Sequence, residues 1–334
     1  MAVPLRPLGT SGLRISTVGL GAWAMGGAGW RNTRGSQEDA DSRAVIARAV
    51  DVGINWIDTA AVYGLGHAEE VVADTVASLP SSRRPFVFTK CGLTWSEEDP
   101  MAPQVLDSRP ETIRRECEAS LRRLRTDHID LYQLHWPDEI GTPVEETWGE
   151  MARLQDEGMV RAIGMSNYPV ELLERCEPIR HVDSVQSQFN MIRREAAAHV
   201  IPWCAAHGTG TINYRPVMIG LLTDGFTPDR IDRTKQDWRD QFPDFSEPRL
   251  SRNLALRDAL RPIARRHGVP IAAIAVAWAI AWTGVTGAIS GARTPDQIDG
   301  WIDGASLTLT EADLDEIAAA IAATGAGDGP VRPM

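Results

Sequence analysis

A chain of 334 residues, 43% hydrophobic and 24% charged, can bury a full core as one large α/β domain or two smaller ones. Its net charge of -11, with no basic run, argues against a nucleic-acid binder while leaving room for a local positive pocket. MAVPLRPLGTSG lacks the apolar stretch of a signal peptide, no 18-residue apolar run occurs, and four scattered cysteines fit no zinc spacing, so a soluble cytoplasmic protein with reduced thiols and no membrane partner is expected.

The chain opens with PLRPL and LRIST around a Gly-Thr-Ser-Gly turn, the pattern of an N-terminal β-hairpin. VGLGAWAMGG follows as a short strand running into glycines, where Gly19 and Gly21 offer a backbone that a ligand can approach. It is not a dinucleotide fingerprint, because no helix opens directly after the glycines. Residues 26–37 read as a polar loop with one exposed-looking aromatic, Trp30.

Strands and helices then alternate. DADSRAVIARAVDVG reads as a helix with Val45, Ile46, Ala49 and Val50 on one face, ending at Gly53. GINWID, PFVFTK, HIDLYQLH, MVRAIGMS, VDSVQSQFN and TGTINYRPV read as buried strands. Between them HAEEVVADTVASL, PETIRRECEASLRRL, a stretch ending at Gly158, VELLERCEP and REAAAHVIPWCAAHG read as helices. Ser108 with Glu111 suggests a capping box, and Thr142, Pro143 and Glu145 suggest an N-cap, N1 and N3. Residues 222–250 break the rhythm as a long polar loop after strand seven, of the kind that covers a site, and Trp238 lies within it. Helices over roughly 251–267 and 270–282, an eighth strand in GVTGAISG, a helix opened by Thr294, Pro295 and Gln297, and a last helix over about 311–323 complete the pattern. Eight β/α units fit a (β/α)8 TIM barrel over residues 1–325 better than a doubly wound sheet, with additional C-terminal helices and a disordered tail at 326–334.

In such a barrel the C-terminal strand ends share one mouth. Asp58, Lys90 and His135 end the second, third and fourth strands, and Tyr63 follows five residues after Asp58. A phenol, with an ordinary pKa of about 10, is a poor acid at neutral pH unless a cation stabilises its anion. Lys90 would supply that cation and lower the phenol's pKa, Asp58 would hold Lys90, and His135 would donate to a substrate oxygen. Singly, these residues also read as a loop cap, a packed ring, a solvated strand end and a core histidine. Together they suit protonation of an oxygen that is gaining negative charge. They supply neither a serine or cysteine nucleophile nor the carboxylate pair of a glycosidase.

The sequence resembles the aldo-keto reductase family along nearly its whole length. The resemblance is carried by DTAAVYGLGHAEE, VFTKCG, SLRRLRTDHIDLYQLHWPD, GMVRAIGMSNY, VQSQFN, TINYRPVMIGLLT and ISGARTPDQ, in order. It implies hydride transfer with NAD(P)H, NADP(H) favoured and NAD(H) possible, on the carbonyl of an aldehyde, ketone or sugar. It makes Tyr63 the general acid/base, tuned by Lys90 and Asp58, with His135 positioning the carbonyl. It assigns the cofactor to Gly21, Trp23, Ser166, Asn167, Gln188, Tyr214, Arg215, Pro216, Gly220, Leu221, Gly291, Arg293, Thr294 and Gln297. Arg293 and a hydroxyl at a helix N-terminus also form an anion site on physical grounds alone.

Trp23 and Trp136 flank the substrate pocket by the same resemblance, with Trp30 and Trp95 on loops of the same face. Arg215 departs from the family pattern and places a cation either at the cofactor phosphates or at the substrate. His67 replaces a smaller residue. Trp301 stands where many relatives place an asparagine on adenine, and either stacks there or packs internally. A second reading is a cofactor-binding, redox-sensing regulatory subunit with little turnover. Monomer and homo-oligomer both fit the sequence.

Overall fold

The computed structural model describes residues 3–231, 239 and 242–333. Trp238 falls outside them. Eight parallel strands close into a barrel. They are β1 (Val18–Gly21), β2 (Trp56–Asp58), β3 (Phe86–Cys91), β4 (Ile129–Leu134), β5 (Val160–Ser166), β6 (Ser184–Gln188), β7 (Gly210–Tyr214) and β8 (Val285–Gly291). β8 pairs with β1 to complete the ring. Helices follow the strands and cover them from outside, which makes the chain a TIM barrel.

Alternate residues of each strand face the interior, and they stack in layers. The lower layer is apolar. Trp56, Phe88, Leu131, Ala162, Ile212 and Ile289 cluster there, and the N-terminal hairpin plugs the floor with Leu8 and Ile15. Trp56 needs room that only glycine leaves. A Cβ on Gly19 would lie 2.3 Å from its indole, and one on Gly287 would lie 3.2 Å away. Gly19 therefore serves core packing, not the ligand approach expected of it. One step up each strand the interior turns polar, with Asp58, Lys90, Gln133 and Gln186. The outward residues, such as Val18, Leu20, Tyr132 and Ile163, pack against the helices.

Several local expectations shift. Neither Ser108 nor Thr142 caps a helix with its side chain; the helices are Pro110–Leu124 and Val144–Asp156. Two aspartates bind the backbone there instead. Asp107 accepts from the Arg109 amide at 3.1 Å. Asp138 accepts from the amides of Ser108, Ile140, Gly141 and Thr142 at 2.7–2.9 Å. Both carboxyls are held below the ordinary range even though burial opposes it, Asp107 at about 2 with Arg109 as the chief cause and Asp138 by its amide donors. Thr294 makes no cap bond, although Gln297 accepts from the Arg293 amide at 2.8 Å. The last helix, Glu311–Thr324, does carry a full capping box between Thr310 and Asp313.

The helix expected over 251–267 is two helices, Arg249–Ala259 and Arg261–His267, broken where Pro262 lacks an amide proton. Ile271–Ile280 is buried at every residue. No single helix among the described residues is long and apolar enough to cross a membrane; one bent pair, Arg249–His267 with Ile271–Ile280, passes by length and composition. Within the long loop, Phe226 and Phe245 are buried and meet edge to face at 5.8 Å.

Residues of the tail contact the rest of the chain. Arg194 donates to the Ala326 carbonyl at 3.0 Å, the backbone of Asp328 pairs with that of Arg193 in a parallel β-bridge, and Arg332 binds Asp315 at 2.7 Å. The buried guanidinium of Arg194 also donates to the Met191 carbonyl and, at 3.3 Å, to the Gly329 carbonyl, so the tail supplies two of its three acceptors.

Candidate active site

Two glycine-rich loops build the mouth. A Cβ on Gly26, after β1, would lie 2.6 Å from the Gly64 amide, and one on Gly64 would lie 2.4 Å from the Gly26 carbonyl. Only glycine at both positions lets the loops touch, and Gly64 also has φ 62°. The contact brings Trp23 against Tyr63, their rings stacked 5.8 Å apart at 9°. Trp30 also leans on Tyr63, at 6.5 Å and 38°. Trp30 is buried, not exposed, and its indole donates to the Gly27 carbonyl. Tyr63 is half-buried, and the His135 ring meets it edge-on at 5.8 Å.

Beneath Tyr63 lies a buried ion pair. The Lys90 ammonium donates to Asp58 at 2.5 Å and to the Thr59 carbonyl at 2.8 Å. Its nitrogen lies 5.2 Å from the Tyr63 ring centre. The second Asp58 oxygen accepts from Gln186 at 2.8 Å and, more weakly, from Gln133 at 3.4 Å. Gln186 also donates to Gln133 at 3.3 Å. These two glutamines were missed in the sequence. Their one signal there is parity: each sits two residues before an expected site residue, His135 or Gln188, on an inward face.

The electrostatics differ from the simple expectation. Burial pushes the Tyr63 phenol up, and Asp58 adds to the rise; Lys90, by charge and hydrogen bond, and Arg215 pull it down without cancelling the effect. The net direction is upward, not downward. Burial opposes the Lys90 charge, yet Asp58 and Tyr63 outweigh it and its pKa is raised. His135 is held well below its ordinary value, first by burial and then by the Lys90 charge, so its imidazole is neutral at neutral pH.

The remaining candidates gather along the rim. Asn167, at φ 65°, donates to the His135 carbonyl at 3.1 Å and to Ser166 at 3.0 Å. It accepts from the Tyr214 hydroxyl at 2.8 Å, which ties the ends of β4, β5 and β7 together. Gln188 contacts the Met218 sulfur at 3.6 Å. Arg215, Met218, Ile219 and Gly220 all have positive φ, and Pro216 is buried between them. Leu221 is fully buried, so only its backbone faces the loop.

Gly21 and Gly291 lie side by side in register. Arg293 reaches across to the first loop, where its guanidinium donates to the Arg34 carbonyl at 3.1 Å, to the Ser36 carbonyl and to the Gln37 side chain. Trp136 is 41% exposed. The Trp95 ring lies 6.0 Å from the Arg123 guanidinium. Trp301 is buried as part of the core cluster that includes Ala272, Val276, Ile298 and Ala305, which fits internal packing rather than stacking. His67 pairs with Asp39 at 2.8 Å. All four cysteines are buried.

Comparison with known proteins agrees with this geometry. The model of the Aldo/keto reductase family matches residues 17–322. The aldo-keto reductase YhdN of Bacillus subtilis (strain 168) is 33% identical over 308 residues, covering 92% of this chain and 90% of that one. An NADH-specific methylglyoxal reductase of Escherichia coli (strain K12) is 30% identical, covering 92% and 95%. The solved glycerol dehydrogenase of Gluconobacter oxydans superposes with a TM-score of 0.87 at 34% identity, covering 99% and 98%. A closed barrel with this rim, matched end to end by such relatives, leaves one conclusion: the chain belongs to the aldo/keto reductase family, oxidoreductases that act on carbonyl substrates with a nicotinamide cofactor.

Proposed function

We propose that the protein reversibly interconverts a carbonyl and an alcohol, with Tyr63 as general acid in reduction and general base in oxidation. The observation that carries this is the buried Asp58–Lys90 pair directly beneath the Tyr63 ring. Burial alone makes the phenolate costly, and a charged neighbour at this depth is the available offset. A bound nicotinamide cofactor supplies the hydride in reduction and accepts it in oxidation. Tyr63 delivers the proton to the oxygen as negative charge builds there. Lys90 stabilises the phenolate left behind, and Asp58, fixed by Gln186 and Gln133, keeps Lys90 charged and in place.

His135 aims the carbonyl. Its Nδ1 is buried without a partner among the described residues. An unpaired N–H there would carry the full desolvation cost, so the proton belongs on Nε2, where it can donate to the substrate oxygen.

The rim residues fit a nicotinamide cofactor. Tyr214 presents a half-buried ring, with its hydroxyl anchored on Asn167, for stacking. Ser166, Asn167 and Gln188 offer amide and hydroxyl partners beside it. Strained residues with positive φ cluster at functional sites, and the 215–220 loop holds three of them, Arg215, Met218 and Ile219, next to Gly220 and Leu221. Gly21 and Gly291 lie in register opposite, and Gly291 is exposed. Arg293, with Thr294 and Gln297 at a helix start, favours NADP(H) over NAD(H), and its cation suits a 2′-phosphate. Four buried thiols suit a reducing cytoplasm.

Titration of NADPH and NADH against tryptophan fluorescence, followed by an assay of 4-nitrobenzaldehyde reduction, tests the reading. Turnover with one or both cofactors supports it. Binding without turnover across a broad panel of carbonyls would favour a regulatory subunit, and no binding would refute both. Arg293→Ala should weaken NADPH more than NADH. Equal losses would mean that Arg293 only clamps the 34–37 loop.

A further inference from the structure

Arg215 does something the reaction itself does not require. Its guanidinium carbon lies 5.2 Å from the centre of Trp23, 5.5 Å from Tyr214 and 4.8 Å from Phe242. Trp23 is the ring stacked on Tyr63. A second cation, Arg34, stands 3.8 Å over the same indole. The backbone enforces this placement. Arg215 sits at φ 61°, an uncommon conformation for a residue with a Cβ. Its carbonyl is fixed by the Asn190 amide group at 3.0 Å and the Met218 amide at 2.9 Å.

Three aromatic faces attract a guanidinium but do not neutralise it. Its Nε is buried with no hydrogen-bond partner, and no carboxylate among the described residues forms an ion pair with it. The nearby acids are committed elsewhere: Asp58 binds Lys90, and Asp244 binds Arg193 at 2.8 Å. Burial and the Arg215 charge both act against the Arg34 charge, and burial acts against that of Arg215. The mouth beside the acid thus gathers positive charge with no acid of its own for Arg215.

We propose that Arg215 recognises an oxyanion carried by the substrate, so that the enzyme prefers carbonyl compounds bearing a carboxylate or phosphate. The inference rests on the reductase reading above and makes Arg215 a specificity residue. Its position favours substrate over cofactor phosphate, because the rings it touches include the partner of Tyr63, whereas Arg293 occupies the rim of β8. An arginine can bind either oxyanion through two parallel N–H donors.

The test compares kcat/KM for matched pairs in wild type, Arg215→Met and Arg215→Lys. 4-Carboxybenzaldehyde and 4-nitrobenzaldehyde carry planar substituents of similar size, one charged and one neutral. D-glyceraldehyde 3-phosphate and D-glyceraldehyde form the phosphate pair. Arg215→Met should cut the charged-to-neutral ratio by about tenfold or more in at least one pair, mainly through KM, and Arg215→Lys should retain an intermediate ratio. The pair that responds identifies the oxyanion. A ratio unchanged within about threefold in both pairs overturns the inference, and it does so also if the variant weakens NADPH and NADH alike. Wild-type protein inactive on all these aldehydes would overturn the reductase reading and this inference together.

Discussion

Replacing Lys90 with methionine removes the cation on which the proposed proton transfer depends. Methionine keeps similar length and an apolar stem, so the change is mainly one of charge. The pair it breaks is almost wholly buried, with Lys90 at 1% and Asp58 at 4% side-chain exposure. Removing one member strands the other, which typically costs about 3–5 kcal/mol. Asp58 keeps its bond from Gln186 and the weaker one from Gln133, which places the loss toward the lower figure. For a protein of this size that is a fall in Tm of about 4–5 °C.

The raised Lys90 pKa sets the pH dependence. Its stabilisation is fully present below the reference value of 10.5 and fades only as pH rises through the higher folded value. The Tm gap between wild type and Lys90→Met should therefore stay flat through the neutral range and narrow only in strong alkali. Without Lys90, burial and Asp58 both push the Tyr63 phenol further up. Carbonyl reduction should fall by roughly a hundredfold to ten-thousandfold, the range of general acid catalysis. Thermal melts across pH and steady-state reduction of 4-nitrobenzaldehyde measure both effects. A variant with near-normal kcat/KM, or with unchanged Tm, would refute the reasoning.

Two further outcomes follow from the buried groups. His135 should stay neutral to well below its ordinary value of 6.5, so its ring nitrogen shifts should show no imidazolium near pH 6; a protonated ring there would contradict the Nε2–H donor. Glu116, which accepts from the Gly92 amide at 2.7 Å, has its pKa pushed up to about 7 by burial, with that amide opposing the rise. Its folded pKa exceeds its ordinary value of 4.5, so stability is lost as pH rises through about 7. Glu116→Gln should match wild type in mild acid and melt higher in mild alkali; an equal gap at both pH values would count against a raised Glu116.

The barrel was legible because its strands are short apolar runs separated by amphipathic helices, and because each run ends in a polar or glycine residue. Asp58, Lys90 and His135 stood out at those ends. Gln133 and Gln186 did not. In a strand buried on both faces no polar-apolar alternation separates inward from outward positions, so an interior glutamine is placed only by its spacing from the strand end. Trp30 misled because its loop is polar, whereas its burial comes from a glycine contact between two loops distant in sequence. The cap assignments failed for a similar reason. Asp107 and Asp138 bind the amides at the helix starts, and Asp138 does so for Ser108 from thirty residues away. The composition of the tail gives no sign that its carbonyls accept from the buried guanidinium of Arg194. Trp301 could be placed only once its neighbours were known.

The most direct test of the account is Tyr63→Phe, which deletes one hydroxyl and leaves the ring stacked on Trp23. Cofactor affinity, read by tryptophan fluorescence, should persist, while single-turnover reduction of 4-nitrobenzaldehyde should slow by at least about a hundredfold. Near-normal reduction by Tyr63→Phe would contradict the assignment of the proton to Tyr63.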